Sequence, residues 1–120
     1  GTPYVTPVHP CWEQETLWTL VGVDSVKAKN IQTSSLVSCH WQVSADTNFD
    51  SLIIWGNAEL FTDIATKERL WDGVFDYDLN AFSPGGPTDS PDTGFMSIIP
   101  SKAIMLKGMG MGGRFEWKAQ

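Results

Sequence analysis

The run Ser25-Val26-Lys27-Ala28-Lys29 places one hydroxyl and two ammonium groups at positions i, i+2 and i+4. Residues 16–21 before it alternate bulky apolar and smaller side chains, Trp18 among them, as a half-buried strand does. Gly22 and Asp24 then supply turn and capping chemistry, so the run is expected to open a helix. A helix start offers unpaired backbone N–H groups and the positive end of the peptide dipoles. Joined to a serine and two lysines, it suits a phosphate group. A capped surface helix with solvated lysines accounts for the same residues, and on the local pattern alone it is the favoured reading.

Other candidates for chemistry are weaker. Gly108-Met109-Gly110-Met111-Gly112-Gly113 contains the letters G-x-G-x-x-G. Only seven residues follow it, so no helix can open there and no acidic partner stands at the required distance. It reads as a tight connection and not as a dinucleotide fingerprint. His9 and His40, with Cys11 and Cys39 nearby in sequence, lack zinc-site spacing and have no triad pattern, so no metal site is expected. The aspartates of residues 75–92 read as turn formers and not as paired catalytic carboxylates. No acid, base or nucleophile is evident.

Composition narrows the partners. The 120 residues suffice for one domain, 1–120, and 42% are apolar against 18% charged, so the chain is globular. A net charge of −6 argues against non-specific nucleic-acid binding. With only eight basic residues in all, setting Lys27 and Lys29 together concentrates scarce cations. Two cysteines are no disulfide framework and read as reduced thiols of a cytoplasmic protein. No apolar run approaches membrane-spanning length and no signal peptide is visible, so no membrane partner is expected. The start at Gly1-Thr2-Pro3, without Met, resembles the inside of a hairpin turn, so residues are expected upstream.

The elements that must position these groups follow from periodicity. Residues 4–9 are expected as a first strand, with Pro7 at an edge or bulge, and 9–13 as the turn back into 16–21. After the helix, 36–43 reads as a strand with Val37, Cys39, Trp41 and Val43 on one face. Residues 52–61 are apolar on both faces, which predicts a central strand that Gly56 can bend. Asp63 is expected to cap a helix over 64–71. Strands 95–99 and 103–107, separated by Pro100-Ser101-Lys102, and a last strand over 114–118 complete the pattern. About six strands and two short helices, with hairpins dominating, predict a mainly β, small antiparallel barrel.

Several runs, in order, carry a family resemblance. They are Trp55-Gly56-Asn57-Ala58-Glu59-Leu60-Phe61-Thr62-Asp63, Leu70-Trp71, Ala81-Phe82-Ser83-Pro84-Gly85-Gly86-Pro87 and Ile98-Ile99-Pro100. Upstream, Pro3 to Val8, Leu17-Trp18-Thr19 and Asp24-Ser25-Val26-Lys27 match as well. Together these resemble the general-stress-protein branch of the pyridoxamine 5′-phosphate oxidase-like split barrels, over most of the chain. The resemblance implies a six-stranded split β-barrel, usually a homodimer holding FMN between subunits. It implies that Ser25 and Lys27 lie on the segment binding the FMN phosphate. Trp18 and Thr19 would border the cofactor from a strand, and Thr6, Pro7 and Val8 would lie beside the isoalloxazine.

The sequence also departs from the family. The opening helix and first strand are absent, Thr2 replaces an arginine of the first hairpin, and the W-F-P-x-G loop reads Ala81-Phe82-Ser83-Pro84-Gly85. Only Arg114 and Lys118 offer charge near the end, so the pyridoxamine-phosphate oxidase reaction itself is not expected. The resemblance implies an FMN-binding protein, a flavin oxidoreductase of unknown substrate. Its alternatives are a non-enzymatic stress-related flavin-binding module and a cofactor-free dimer; deazaflavin and haem are the other cofactors such barrels use. A dimer is also expected from residues 52–61, where Leu52, Ile54 and Leu60 line one face and Ile53, Trp55 and Phe61 the other.

Overall fold

The computed structural model describes residues 8–41 and 43–120. It contains a single sheet of six strands, every pair antiparallel, and two helices. In chain order these are β1 (Cys11–Glu13), β2 (Thr16–Gly22), α1 (Val26–Thr33), β3 (Leu36–His40), β4 (Ser51–Phe61), α2 (Ile64–Trp71), β5 (Thr93–Lys107) and β6 (Gly113–Lys118). The strand order is β1-β2-β5-β4-β3, with β6 also paired to β5. The sheet is not closed, as in a split barrel.

Two elements differ from expectation. Residues 9–13 are not simply a turn. Cys11–Glu13 pairs with Thr16–Trp18, and the reversal is confined to Gln14 and Glu15, with Gln14 at φ 54°. A two-residue hairpin leaves its flanks free to pair, which is why the strand begins so close to the turn. The expected strand over 4–9 falls mostly on residues 1–7, outside the described residues, and Val8 to Pro10 are irregular.

Residues 95–99 and 103–107 are one strand, not two. Pro100 falls where β5 changes partner: β2 pairs with it up to Ile98, and β6 from Lys102 onward. The register against β4 shifts between Trp55 and Gly56, so Ser101 is the extra residue of a bulge, and its hydroxyl donates to the Trp55 carbonyl at 3.2 Å. A proline at a bulge forfeits no ladder bond, and the strand continues through it. Gly56 is required here, since a Cβ at that position would stand 2.5 Å from the Ile99 carbonyl oxygen. The expected bend at Gly56 is this bulge.

Two apolar clusters lie on opposite faces of β2. The first joins Leu17, Val21, Ile31, Ile54, Ala58, Met96 and Ile98, with Val37, Cys39 and Trp41 packed beside it. Val43, placed on the same face from sequence, is exposed, because β3 ends at His40. The second cluster is aromatic: Trp18, Leu70, Trp71, Leu79 and Phe95, with Phe61, Phe75 and Tyr77 at its edge. Helix α2 is capped by Asp63, whose carboxylate accepts from the Thr66 N–H at 2.9 Å and hydroxyl at 2.8 Å. It buries Lys67, Leu70 and Trp71, while Ile64 is exposed. The long loop after α2 is tied down by Trp71 Nε1 donating to Asn80 Oδ1 at 3.1 Å and Lys67 Nζ donating to the Ser90 carbonyl at 2.7 Å. The glycine-rich segment before β6 is a tight connection, with Gly108, Met109, Gly110 and Gly113 at positive φ.

A candidate cofactor cavity beside β2

Helix α1 forms as the sequence predicts, but its cap falls one residue later than the Asp24 expected from the sequence. Ser25 is the N-cap, with extended backbone, and its Oγ accepts from the Ala28 N–H at 3.1 Å. That bond uses the oxygen's acceptor side and leaves the O–H free to donate. Lys27 is the second residue of the helix and half-buried; no acidic residue occupies the first turn. Among the described residues its ammonium has no hydrogen bond or ion pair. Burial holds the Lys27 pKa below the usual lysine value.

Lys27 forms part of the wall of an open cavity of about 500 Å³. The cavity is shared by Val8, Thr19, Leu20, Tyr77 and Phe82, and His9 and Asp76 line it as well. Three of the sequence-predicted site residues, Val8, Thr19 and Lys27, therefore meet in one place. Ser25 caps the adjoining helix without lining the cavity. Trp18 does not line the cavity. It sits in the aromatic cluster, 5.4 Å from the Phe61 ring and under the Arg69 guanidinium at 5.7 Å, with its indole N–H buried and unpartnered among the described residues. Thr6 and Pro7 lie outside the described residues. Lys29 is exposed.

Sequence reasoning missed the opposite wall. Phe95, Phe75, Tyr77 and Phe82 form a ladder of rings from the core to the rim, with successive centroids 5.5, 5.6 and 5.5 Å apart. Tyr77 also meets the His9 ring edge-on at 5.0 Å. The His9 Nε2 and Asp76 Oδ1 are 2.8 Å apart, and the Cys11 thiol donates to the same Oδ1 at 3.4 Å. These bonds hold the Asp76 carboxyl below the usual carboxylate range, first through His9. Burial pushes the Cys11 thiol up, so on its own it is no ready nucleophile. The only signal in the sequence was the closeness of His9 and Cys11, two residues apart at the start of β1.

Solved structures are similar over nearly the whole chain. A Clostridium acetobutylicum protein related to general stress protein 26, of the pyridoxine-phosphate oxidase family, superposes with a TM-score of 0.68 at 19% identity, over 87% of this chain and 66% of its own. A pyridoxamine 5′-phosphate oxidase-related, FMN-binding protein from Nostoc punctiforme gives 0.65 at 14% identity, over 94% and 73%. The fold is that of the pyridoxamine 5′-phosphate oxidase-like split barrels. An F420 reductase shares it as well, with a TM-score of 0.61 at 22% identity over 86% of this chain and 79% of its own. No protein-family model and no curated protein sequence matches the chain. The split barrel is thus common to an FMN-binding protein and an F420 reductase.

The cavity's residues suit a flavin-type group. Its volume falls within the roughly 300–1,000 Å³ of small-molecule sites. Val8, Leu20, Tyr77 and Phe82 offer an apolar and aromatic wall to a flat ring, and Lys27 offers a cation to an anionic end, beside the helix cap at Ser25. The two histidines do not both face it, since His40 lies on β3 beside the Ser51 hydroxyl at 3.3 Å. No helix of the described residues is long and apolar enough to cross a membrane.

Proposed function

We propose that this chain binds FMN in the cavity between β2, the start of α1 and the loop bearing Tyr77 and Phe82. The observation that carries the reading is Lys27. A half-buried cation at the positive end of a helix, with no acidic neighbour in the first turn, is disfavoured both by desolvation and by the dipole. An anionic ligand removes both penalties. The phosphate of FMN is such a ligand, and the Ser25 hydroxyl and Lys27 ammonium are its donors in this reading. Thr19 and Leu20 border the ring system from β2 and Val8 from the preceding segment.

When bound, the flavin supplies hydride and single-electron transfer. The chain's residues bind it, orient it and keep one wall dry. An oxidoreductase acting on an unidentified substrate follows from this reading. Pyridoxamine-phosphate oxidation does not, because Arg114 and Lys118 are both engaged with Glu116, at 3.3 and 3.9 Å, and no second cluster of cations stands among the described residues.

The working form in this proposal is a homodimer. Across β4, β5 and β6 the register aligns Leu52 with Met105 and Phe115, and Ile54 with Ala103 and Trp117. Phe115 and Trp117 are 57% and 51% exposed, so this face leaves the first core uncovered at one end. The second face named from sequence is less suited. Phe61 packs into the aromatic cluster, and Trp55 is half-buried with the Lys102 ammonium 5.3 Å from its ring centre.

Titration of the purified full chain with FMN, followed by quenching of flavin fluorescence, tests the cofactor. Saturable binding of one FMN per chain is expected, with weaker binding of riboflavin, which lacks the phosphate. Absence of binding, or equal affinity for the two, refutes the assignment. Steady-state reduction of the bound flavin by NAD(P)H then separates an oxidoreductase from a module that only holds the flavin.

A further inference from the structure

The far wall of the cavity holds a second constellation that the flavin reading does not use. His9 Nε2, Cys11 Sγ and an Asp76 carboxylate oxygen all lie within 4.8 Å of one another. They come from two segments 65 to 67 residues apart, and two of the three converge on the same Asp76 Oδ1, at 2.8 and 3.4 Å. Tetrahedral zinc bonds of about 2.0–2.3 Å put neighbouring ligand atoms roughly 3.3–3.8 Å apart. The cluster is therefore within a small side-chain adjustment of a three-ligand site. Each ligand is also held from behind. Cys11 is fixed by its pairing with Trp18, the His9 ring by the edge-on Tyr77, and Asp76 by its place between Phe75 and Tyr77, which pack on each other.

We propose that His9, Cys11 and Asp76 bind one divalent zinc-class metal ion, with the fourth position open on the cavity side. The donor set selects the metal. An imidazole nitrogen, a thiolate sulfur and a carboxylate oxygen together suit a borderline ion such as Zn²⁺, whereas Mg²⁺ and Ca²⁺ take oxygen ligands only. The His9 and Asp76 side chains are 65% and 70% exposed, so an ion enters without opening the fold. On binding, the Cys11 thiol loses its proton to solvent as the sulfur–metal bond forms, and no electron is transferred. Three protein ligands leave one position for water or for a group of a molecule in the cavity, which is the arrangement of reactive rather than purely structural zinc sites. The site does not depend on the flavin, and its test is made without one.

The experiment uses tag-free full-length protein, reduced and chelator-treated, titrated with Co²⁺ as a spectroscopic stand-in and then with Zn²⁺. One Co²⁺ per chain is expected, with a thiolate-to-cobalt charge-transfer band that Zn²⁺ bleaches. Cys11→Ser should abolish the band, and His9→Ala and Asp76→Asn should remove stoichiometric binding. Cys39→Ser should leave both intact. His9 and Asp76 are exposed, so their variants keep the fold, and circular dichroism confirms this for each protein. No band at stoichiometric Co²⁺, a band that survives Cys11→Ser, or one that vanishes in Cys39→Ser overturns the proposal.

Discussion

Replacing Lys27 by Met is expected to pull ligand affinity and stability in opposite directions. The substitution keeps an unbranched side chain, one atom shorter, and removes its charge. In the ligand-free protein that charge is held at a cost, because Lys27 is half-buried, sits on the second residue of α1 and has no acidic neighbour in the first turn. The folded-state pKa is lowered relative to the unfolded chain. Between the folded pKa and the unfolded value the unfolded state therefore holds the extra proton, and stability rises with pH through that window. At neutral pH, below both values, the penalty is fully present. Lys27→Met should leave the melting temperature of the ligand-free protein unchanged or raise it. Affinity should move the other way. A hydrogen bond to a charged group contributes about 1.5–3 kcal/mol, so the FMN dissociation constant should rise roughly 10- to 150-fold. Riboflavin lacks the phosphate, and its constant should not change. The assay is quenching of FMN and riboflavin fluorescence by wild type, Lys27→Met and the exposed control Lys29→Met, at fixed ionic strength because salt screens the contact. An unchanged FMN constant, an equal loss for both flavins, or a destabilised ligand-free variant would each refute the reasoning.

Charge placed in the exposed sheet face should split the proposed dimer: Phe115→Glu is expected to give 13.3 kDa by light scattering where wild type gives twice that, and a wild-type monomer would remove the interface altogether. The Thr66 N–H and hydroxyl hold the Asp63 carboxyl below the usual range, so its capping contribution is present above the unfolded pKa and lost as pH falls through the folded one. Asp63→Asn should flatten the acid limb of the stability–pH curve, and an unchanged limb would show that the cap does not report on pH. Gly56→Ala forces a methyl against the Ile99 carbonyl oxygen and should cost roughly 1–3 kcal/mol in urea unfolding, whereas a neutral result would mean that the bulge relaxes freely.

What was legible in the sequence was local. Asp63 as cap, the helix from Ile64 to Trp71 and a helix opening near Ser25 were readable because capping and period act over three or four residues, although the cap of α1 is Ser25 and not Asp24. The strand from Ser51 to Phe61 showed itself by apolar residues on both faces, and both faces are used, one by each cluster. The reading failed where a neighbour decides. Pro100 ends a strand in isolation, but here β5 exchanges β2 for β6 at that point and a bulge absorbs the extra residue. Cys11–Glu13 is too short to show a period, and only its pairing with Thr16–Trp18 makes it a strand.

The same division runs through the cavity. Its cationic wall lies on contiguous chain, from Thr19 to Lys27, and spacing exposes it. Its aromatic wall and the Asp76 carboxylate come from residues 75–82, a stretch that composition marks only as an acidic loop. Nothing in that loop announces that Asp76 will meet His9 and Cys11, because the meeting is fixed elsewhere. Trp71 and Leu79 anchor the loop's two ends in the aromatic cluster, and Lys67 and Asn80 supply the hydrogen bonds that hold it down. With both ends fixed, the short span between them must cross the end of β1. A substitution that frees the anchor should therefore act at a distance. Asn80→Ala leaves every cavity residue in place chemically but removes the bond to the buried Trp71 indole. It is expected to weaken both FMN and Co²⁺ binding while Lys27→Met weakens FMN alone, and loss of only one ligand in Asn80→Ala would show that the loop does not position the wall as a unit.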